Sequence, residues 1–207
     1  MKFSFVAILI IGSVVLSSIG SQQKGITLKD DLLVYLTFEK IGGEIVFDES
    51  GNHHNGALVC ISEKCEPPRI VEGIEGSAVK FDGNDDCVKL DNIKFEDSEP
   101  WTLSAWVKPI RSDNIFMFAF GPDEHNSSGV IFKRNKKKIV GIRLDGSYFL
   151  VNDINNYFNK FHHYSFVANG LGNIKLYIDG NLIDQVNNIS TGINFNNIGN
   201  AYDLYNH

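Results

Sequence analysis

Two clusters of oxygen-bearing side chains stand out in the chain. Asp48-Glu49-Ser50-Gly51-Asn52 gathers carboxylate, hydroxyl and amide oxygens around a glycine. Oxygens at about 2.3–2.6 Å are what calcium takes, with backbone carbonyls completing the shell. The same residue types also build a metal-free Asx turn, in which the side chain accepts bonds from its own backbone. Asp82, Asp85 and Asp86 form a second acidic turn and a second cation candidate. Three cysteines, Cys60, Cys65 and Cys87, lack a histidine pair at zinc-finger spacing and do not make a zinc site. Cys60 and Cys65 flank a polar Ile-Ser-Glu-Lys tip and are expected to form a disulfide. Cys87, inside the alternation Cys87-Val88-Lys89-Leu90, reads as a buried thiol, with a bond to another chain as the alternative.

Catalytic constellations are harder to find. Glycoside hydrolysis needs two nearby carboxylates, and on a strand residues two apart share a face. No strand-like segment carries that pair. The densest acidic run, Glu96-Asp97-Ser98-Glu99, runs into Pro100 and reads as a polar loop, and Asp153 stands alone. His162 and His163 are adjacent, so on a strand they face opposite ways. No glycine-flanked serine elbow is present. The expectation is a protein that is not an enzyme. Sugar binding instead needs an aromatic ring face with polar partners around it. Trp106, among Leu103, Ala105 and Val107, reads as core, whereas Trp101, at the head of its segment, reads as the tryptophan open to solvent. The loops around Asp123–Asn126 and Asn152–Asn159, with Tyr157, carry amides suited to recognition. The residues do not identify a ligand.

These groups must be positioned by short strands. The 207 residues are 43% hydrophobic, 21% charged and 12% aromatic, which excludes a disordered or collagenous chain. A net charge of −6 disfavours nucleic acid as partner. Apolar segments recur at Leu33–Phe38, Gly56–Cys60, Ala78–Phe81, Val88–Leu90, Thr102–Pro109, Ile115–Phe120, Val130–Lys133, Ile139–Leu144, Tyr148–Val151, Tyr164–Ala168, Ile174–Ile178 and Leu182–Val186. Turn signals separate them, the clearest being Asp179-Gly180-Asn181. So many short strands need two stacked sheets: an all-β antiparallel sandwich. The basic run Lys133–Lys138 reads as a solvated hairpin tip.

At the N-terminus, Lys2 precedes an apolar run from Phe3 to Leu16, followed by Ser17, Ser18 and Gly20. Basic, apolar, small is the order of a secretory signal peptide, and the run is short for a membrane span. Residues 1–20 are therefore expected to be a signal peptide, 21–32 a lead-in and 33–207 the folded domain. No membrane span is expected after cleavage, and the mature chain is secreted or lies on the extracellular surface. In that setting Asn126-Ser127-Ser128 and Asn188-Ile189-Ser190 are candidate glycosylation sites on surface loops.

Four blocks in order resemble one known family. Leu33–Glu39 with Asp48–Gly56, then Gly76–Val88, then Trp101–Pro109, then Phe161–Val167 with Ile174–Gly180, are similar to the laminin-G-like jelly-roll domains of the concanavalin A-like lectin/glucanase superfamily. Cys87 stands where the family has an aromatic, and Phe161 where it has a tryptophan. The resemblance implies a concanavalin A-like jelly roll. It implies a structural Ca2+, with Asp48 supplying the side chain and the backbone near Asn52 assisting. It also implies a final strand beside the first, which the sequence up to His207 lacks, so the domain is expected to be incomplete and Leu33–Phe38 to want a neighbour. The function expected is non-catalytic recognition of a glycan or an extracellular protein, in lectin or adhesion roles. The alternatives are an accessory domain of a larger glycoside-acting enzyme and a purely adhesive matrix domain.

Overall fold

The computed structural model describes residues 3–11, 32–60, 62, 65–82, 85–109, 117–121, 129–133, 139–143, 148–151 and 154–199. Seventeen strands and one short 3-10 helix, Ile154–Tyr157, make up the described secondary structure. In chain order the strands are β1 (Phe3–Ile11), β2 (Leu32–Leu36), β3 (Ile41–Gly42), β4 (Ile45–Val46), β5 (Gly56–Cys60), β6 (Arg69–Glu72), β7 (Ser77–Phe81) and β8 (Asp86–Phe95). They continue as β9 (Trp101–Pro109), β10 (Met117–Gly121), β11 (Gly129–Lys133), β12 (Ile139–Arg143), β13 (Tyr148–Leu150), β14 (His162–Ala168), β15 (Asn173–Ile178), β16 (Asn181–Asn187) and β17 (Ile193–Gly199).

Two antiparallel sheets form. One has eight strands in the order β16-β15-β14-β9-β1-β7-β6, with β2 also paired to β1. The other has nine, in the order β13-β12-β11-β10-β17-β8-β5-β4-β3. Burial alternates along β2, β14 and β15, as it must when one face of a strand packs and the other meets solvent. Trp101, Phe38, Phe81, Phe149, Phe166 and Phe195 are the largest fully buried side chains of the core. Phe81 packs so closely on Gly199 that a Cβ there would sit 2.6 Å from its ring.

Each of the twelve expected apolar segments overlaps a strand. β15 and β16 pair as the expected hairpin, with Asp179 and Gly180 at φ 51° and 78° in its turn. β11 and β12 pair on either side of the basic run, whose residues 134–138 lie outside the described set. Three findings change the expectations. Short strands β3, β4 and β6 and the long strand β17 went unnoticed in the sequence. Leu32–Leu36 does have a neighbour: Ile8–Ile11 of β1 pairs with it, Phe3–Phe5 pairs with β7, and β9 lines the opposite edge. Residues 3–11, the described part of that apolar run, thus lie beside Leu32–Leu36, where the sequence suggested a bare edge. The two tryptophans also exchange roles. Trp101 is 1% exposed, and its indole N–H donates to Thr191 O at 2.7 Å. Trp106 is only half-buried. Alternation explains this, since Trp101, Leu103, Ala105 and Val107 share the inner face of β9 and Trp106 lies on the outer one.

Candidate functional site

The Asp48 loop is built by hydrogen bonds converging on one carboxylate. Asp48 is 8% exposed. Its Oδ1 accepts from Tyr35 N at 2.8 Å and Ser50 N at 2.9 Å, and its Oδ2 from the Ser50 hydroxyl at 2.7 Å and His54 N at 3.0 Å. Burial acts to raise its pKa, but these bonds outweigh it and hold the carboxyl below its ordinary value. Asn52 gives its side-chain amide to the carbonyls of Leu32 and Leu33, at 2.7 and 3.1 Å. The structure therefore shows Asp48 and Asn52 tying the loop to β2, and all four acceptor positions of the carboxylate face protein donors.

The second acidic turn is different. Asp82 and Asp85 lie between β7 and β8, and Asp86 opens β8. One oxygen from each of the three carboxylates lies within 4.8 Å of the others. Asp86 is 4% exposed; its Oδ2 accepts from Asp82 N at 2.8 Å, and its Oδ1 has no hydrogen-bond donor among the described residues. Burial pushes its pKa up to about 6, with the charges of Asp82 and Asp85 adding to the rise; the Asp82 N–H and Arg69 act against it. The three line a cleft of about 610 Å³ together with Glu66, Arg69 and Lys80. Ser62 and Cys65 also line it, and Cys65 is joined to Cys60 at the end of β5 by a disulfide with a Cα–Cα distance of 5.8 Å. Ser62 donates its hydroxyl to Asp85. Cys87, next to Asp86, is 2% exposed on β8.

A third region lies on the outer face of the eight-stranded sheet. Trp106 of β9 and Tyr35 of β2 line a cleft of about 480 Å³ with Thr37, Glu39, Ile74 and Glu75. The His163 ring lies 5.3 Å from that of Trp106. His162 points the other way. It meets the Tyr157 ring at 5.0 Å and bonds Asp179 through Nδ1 at 2.6 Å. Asp179 Oδ1 also accepts from His163 N at 2.9 Å. The histidine pair is thus split between two faces and pins the β15–β16 turn to β14. Asp97, from the acidic run, accepts from the Ser190 hydroxyl and Gly192 N, which fastens the start of β17. Asn188 is exposed, at φ 58°, in the turn after β16. Asn126 and the loop around it lie outside the described residues, as do Asn152 and Asp153. No helix among the described residues is long and apolar enough to cross a membrane.

No curated protein matches the chain in sequence. The crystal structure of the binding domain of Paraclostridial Mosquitocidal Protein 1 is similar in fold, with a TM-score of 0.58 at 20% identity. That likeness covers 84% of this chain and 46% of the other, so this chain spans less than half the length of that structure. The family model of the concanavalin A-like lectin/glucanases superfamily, Laminin_G_3, matches residues 82–205, from the acidic turn through β17. With its two antiparallel sheets and this match across more than half its length, the chain belongs to the laminin-G-like branch of the concanavalin A-like lectin/glucanases superfamily.

Proposed function

We propose that the chain is a secreted or cell-surface, non-catalytic recognition module that binds a glycan across the outer face of the eight-stranded sheet. The observation that carries this reading is the half-buried Trp106, paired with Tyr35 across a cleft that also presents Thr37, Glu39 and Glu75. An indole face takes the apolar side of a sugar ring, and carboxylates and hydroxyls take its hydroxyl groups. A buried aromatic such as Trp101 has no such use. Export is supported by the order of residues 1–20 and by a disulfide, which persists in an oxidising compartment. Cleavage after Gly20 takes β1 out of the sheet and leaves the edges of β2, β7 and β9 open to another strand.

One experiment tests both halves. Expressed in secreting eukaryotic cells, the chain is expected in the medium, beginning at or near Ser21, and to bind a subset of a glycan array. Trp106→Ala is expected to weaken that binding at least tenfold while the melting temperature stays within a few degrees. Retention of Met1 on a protein kept in the cell overturns export. Glycan binding that is indifferent to Trp106→Ala moves the site elsewhere, and binding only to proteins replaces the glycan by a protein partner.

A further inference from the structure

We propose that Asp82, Asp85 and Asp86 bind a calcium ion in the cleft between the β7–β8 turn and the Cys60–Cys65 loop. The first observation is geometric. Two oxygens on opposite sides of one calcium are separated by twice the calcium–oxygen distance, about 4.6–5.2 Å. The three carboxylate oxygens lie within 4.8 Å of one another and so fit a single shell of that size. Magnesium demands a regular octahedron at about 2.0–2.1 Å and gives up its waters reluctantly, whereas calcium accepts an irregular set of carboxylates. The second observation is independent of the first. Asp86 lines the cleft while only 4% exposed, and its buried Oδ1 lacks a donor among the described residues. A buried carboxylate oxygen left without a partner is costly, and the usual remedies are a proton or a cation.

The surroundings favour the cation. The cleft is lined by four carboxylates, Glu66, Asp82, Asp85 and Asp86, against two cations, Arg69 and Lys80. Arg69 is turned to Glu66, with which it forms an ion pair. Asp85 is held by Ser62, so the disulfide loop fixes one of the three ligands in place. Cys60 lies opposite Asp86 in the β5–β8 ladder, which anchors the loop beside the same turn. The site is separate from the Trp106 face, and its existence does not depend on what that face binds.

The test compares calcium with magnesium on the 207-residue chain, by titration calorimetry and by melting in metal against chelator. Calcium is expected to bind with a Kd of about 10⁻⁴–10⁻³ M, the range of extracellular modules. At a hundredfold excess it should raise the melting temperature by about 5–10 °C. Asp86→Asn and the double change Asp82→Asn with Asp85→Asn should each weaken binding at least tenfold and abolish the shift. Asp48→Asn should keep it. Persistence of the calcium response in the Asp86→Asn and double variants overturns the proposal, as does its loss in a folded Asp48→Asn chain. An equal response to magnesium points to charge screening alone and also overturns it. So does a chain that ignores calcium and gains stability only on acidification, because the orphan oxygen then carries a proton.

Discussion

The two acidic turns are built from the same residue types and end in opposite states. In the first, Asp48 gathers four donors from β2 and from its own loop. In the second, Asp86 has a single backbone donor on one oxygen and none on the other among the described residues. Both carboxyls are buried, at 8% and 4% exposure, so burial does not separate them. The supply of N–H and O–H groups does. It draws the pKa of Asp48 down and leaves that of Asp86 raised to about 6. A saturated carboxylate is a structural brace, whereas a buried carboxylate short of donors is a vacancy for a proton or a metal. The composition of an acidic loop therefore says little about cations until the donors around each oxygen have been counted.

The sharpest way to break this contrast is to remove each carboxylate. Asp48→Ala leaves three backbone N–H groups and a hydroxyl without their acceptor, and should cost about 2–4 kcal/mol. The loss should be the same in calcium and in chelator, as read by urea denaturation. A loss that appears only in calcium would make Asp48 a metal ligand and reverse the comparison. Asp86→Asn should have the opposite sign in chelator at neutral pH. Ionising a carboxyl raised to about 6 costs up to about 3 kcal/mol, so the neutral amide should stabilise by about 1–3 kcal/mol. The pH dependences follow from the directions of the shifts. A raised pKa gives stability that is complete below the unfolded value, near 4, and is lost as pH rises through about 6. A lowered pKa, as at Asp48, gives stability present above about pH 4 and lost as acid protonates the folded carboxyl. In chelator, Asp86→Asn should flatten the loss between pH 4 and 7 and leave the acid limb unchanged. An unaltered slope over that range would show that Asp86 is not the titrating group.

Legibility in the sequence followed the range of the interactions. Strand alternation and Asp-Gly turns are local, so the sandwich and the β15–β16 hairpin could be read directly. The Cys60–Cys65 disulfide was legible for the same reason, since the bond closes a five-residue separation. Trp101 was misread because a position at the head of a segment suggests exposure, whereas strand parity puts it on the inner face with Phe95 and Phe195. Applying the same parity to Trp106 would have brought it outward at once. The β1 placement was out of reach for another reason. Nothing local in Leu32–Leu36 says which strand lies beside it, because that pairing is made with residues distant in sequence. The donor count at Asp48 was hidden too, because Tyr35, which serves it, comes from outside its loop.

The smallest effect is the most discriminating, because each turn carries a serine that donates to an aspartate. The Ser50 hydroxyl bonds Asp48 Oδ2 at 2.7 Å, and the Ser62 hydroxyl bonds Asp85. Ser50→Ala and Ser62→Ala each remove one hydrogen bond to a charged group, and each should cost about 1 kcal/mol in chelator. Calcium should then separate them. At Ser50 it changes nothing, because three other donors still hold Asp48. At Ser62 the ion takes over the task of holding Asp85, so the loss should shrink by half or more. Matched melts of the two variants, with and without calcium, give the four numbers required. If the two losses respond to calcium in the same way, the turns are not the opposites that their donor counts imply, and the cation does not sit against Asp85.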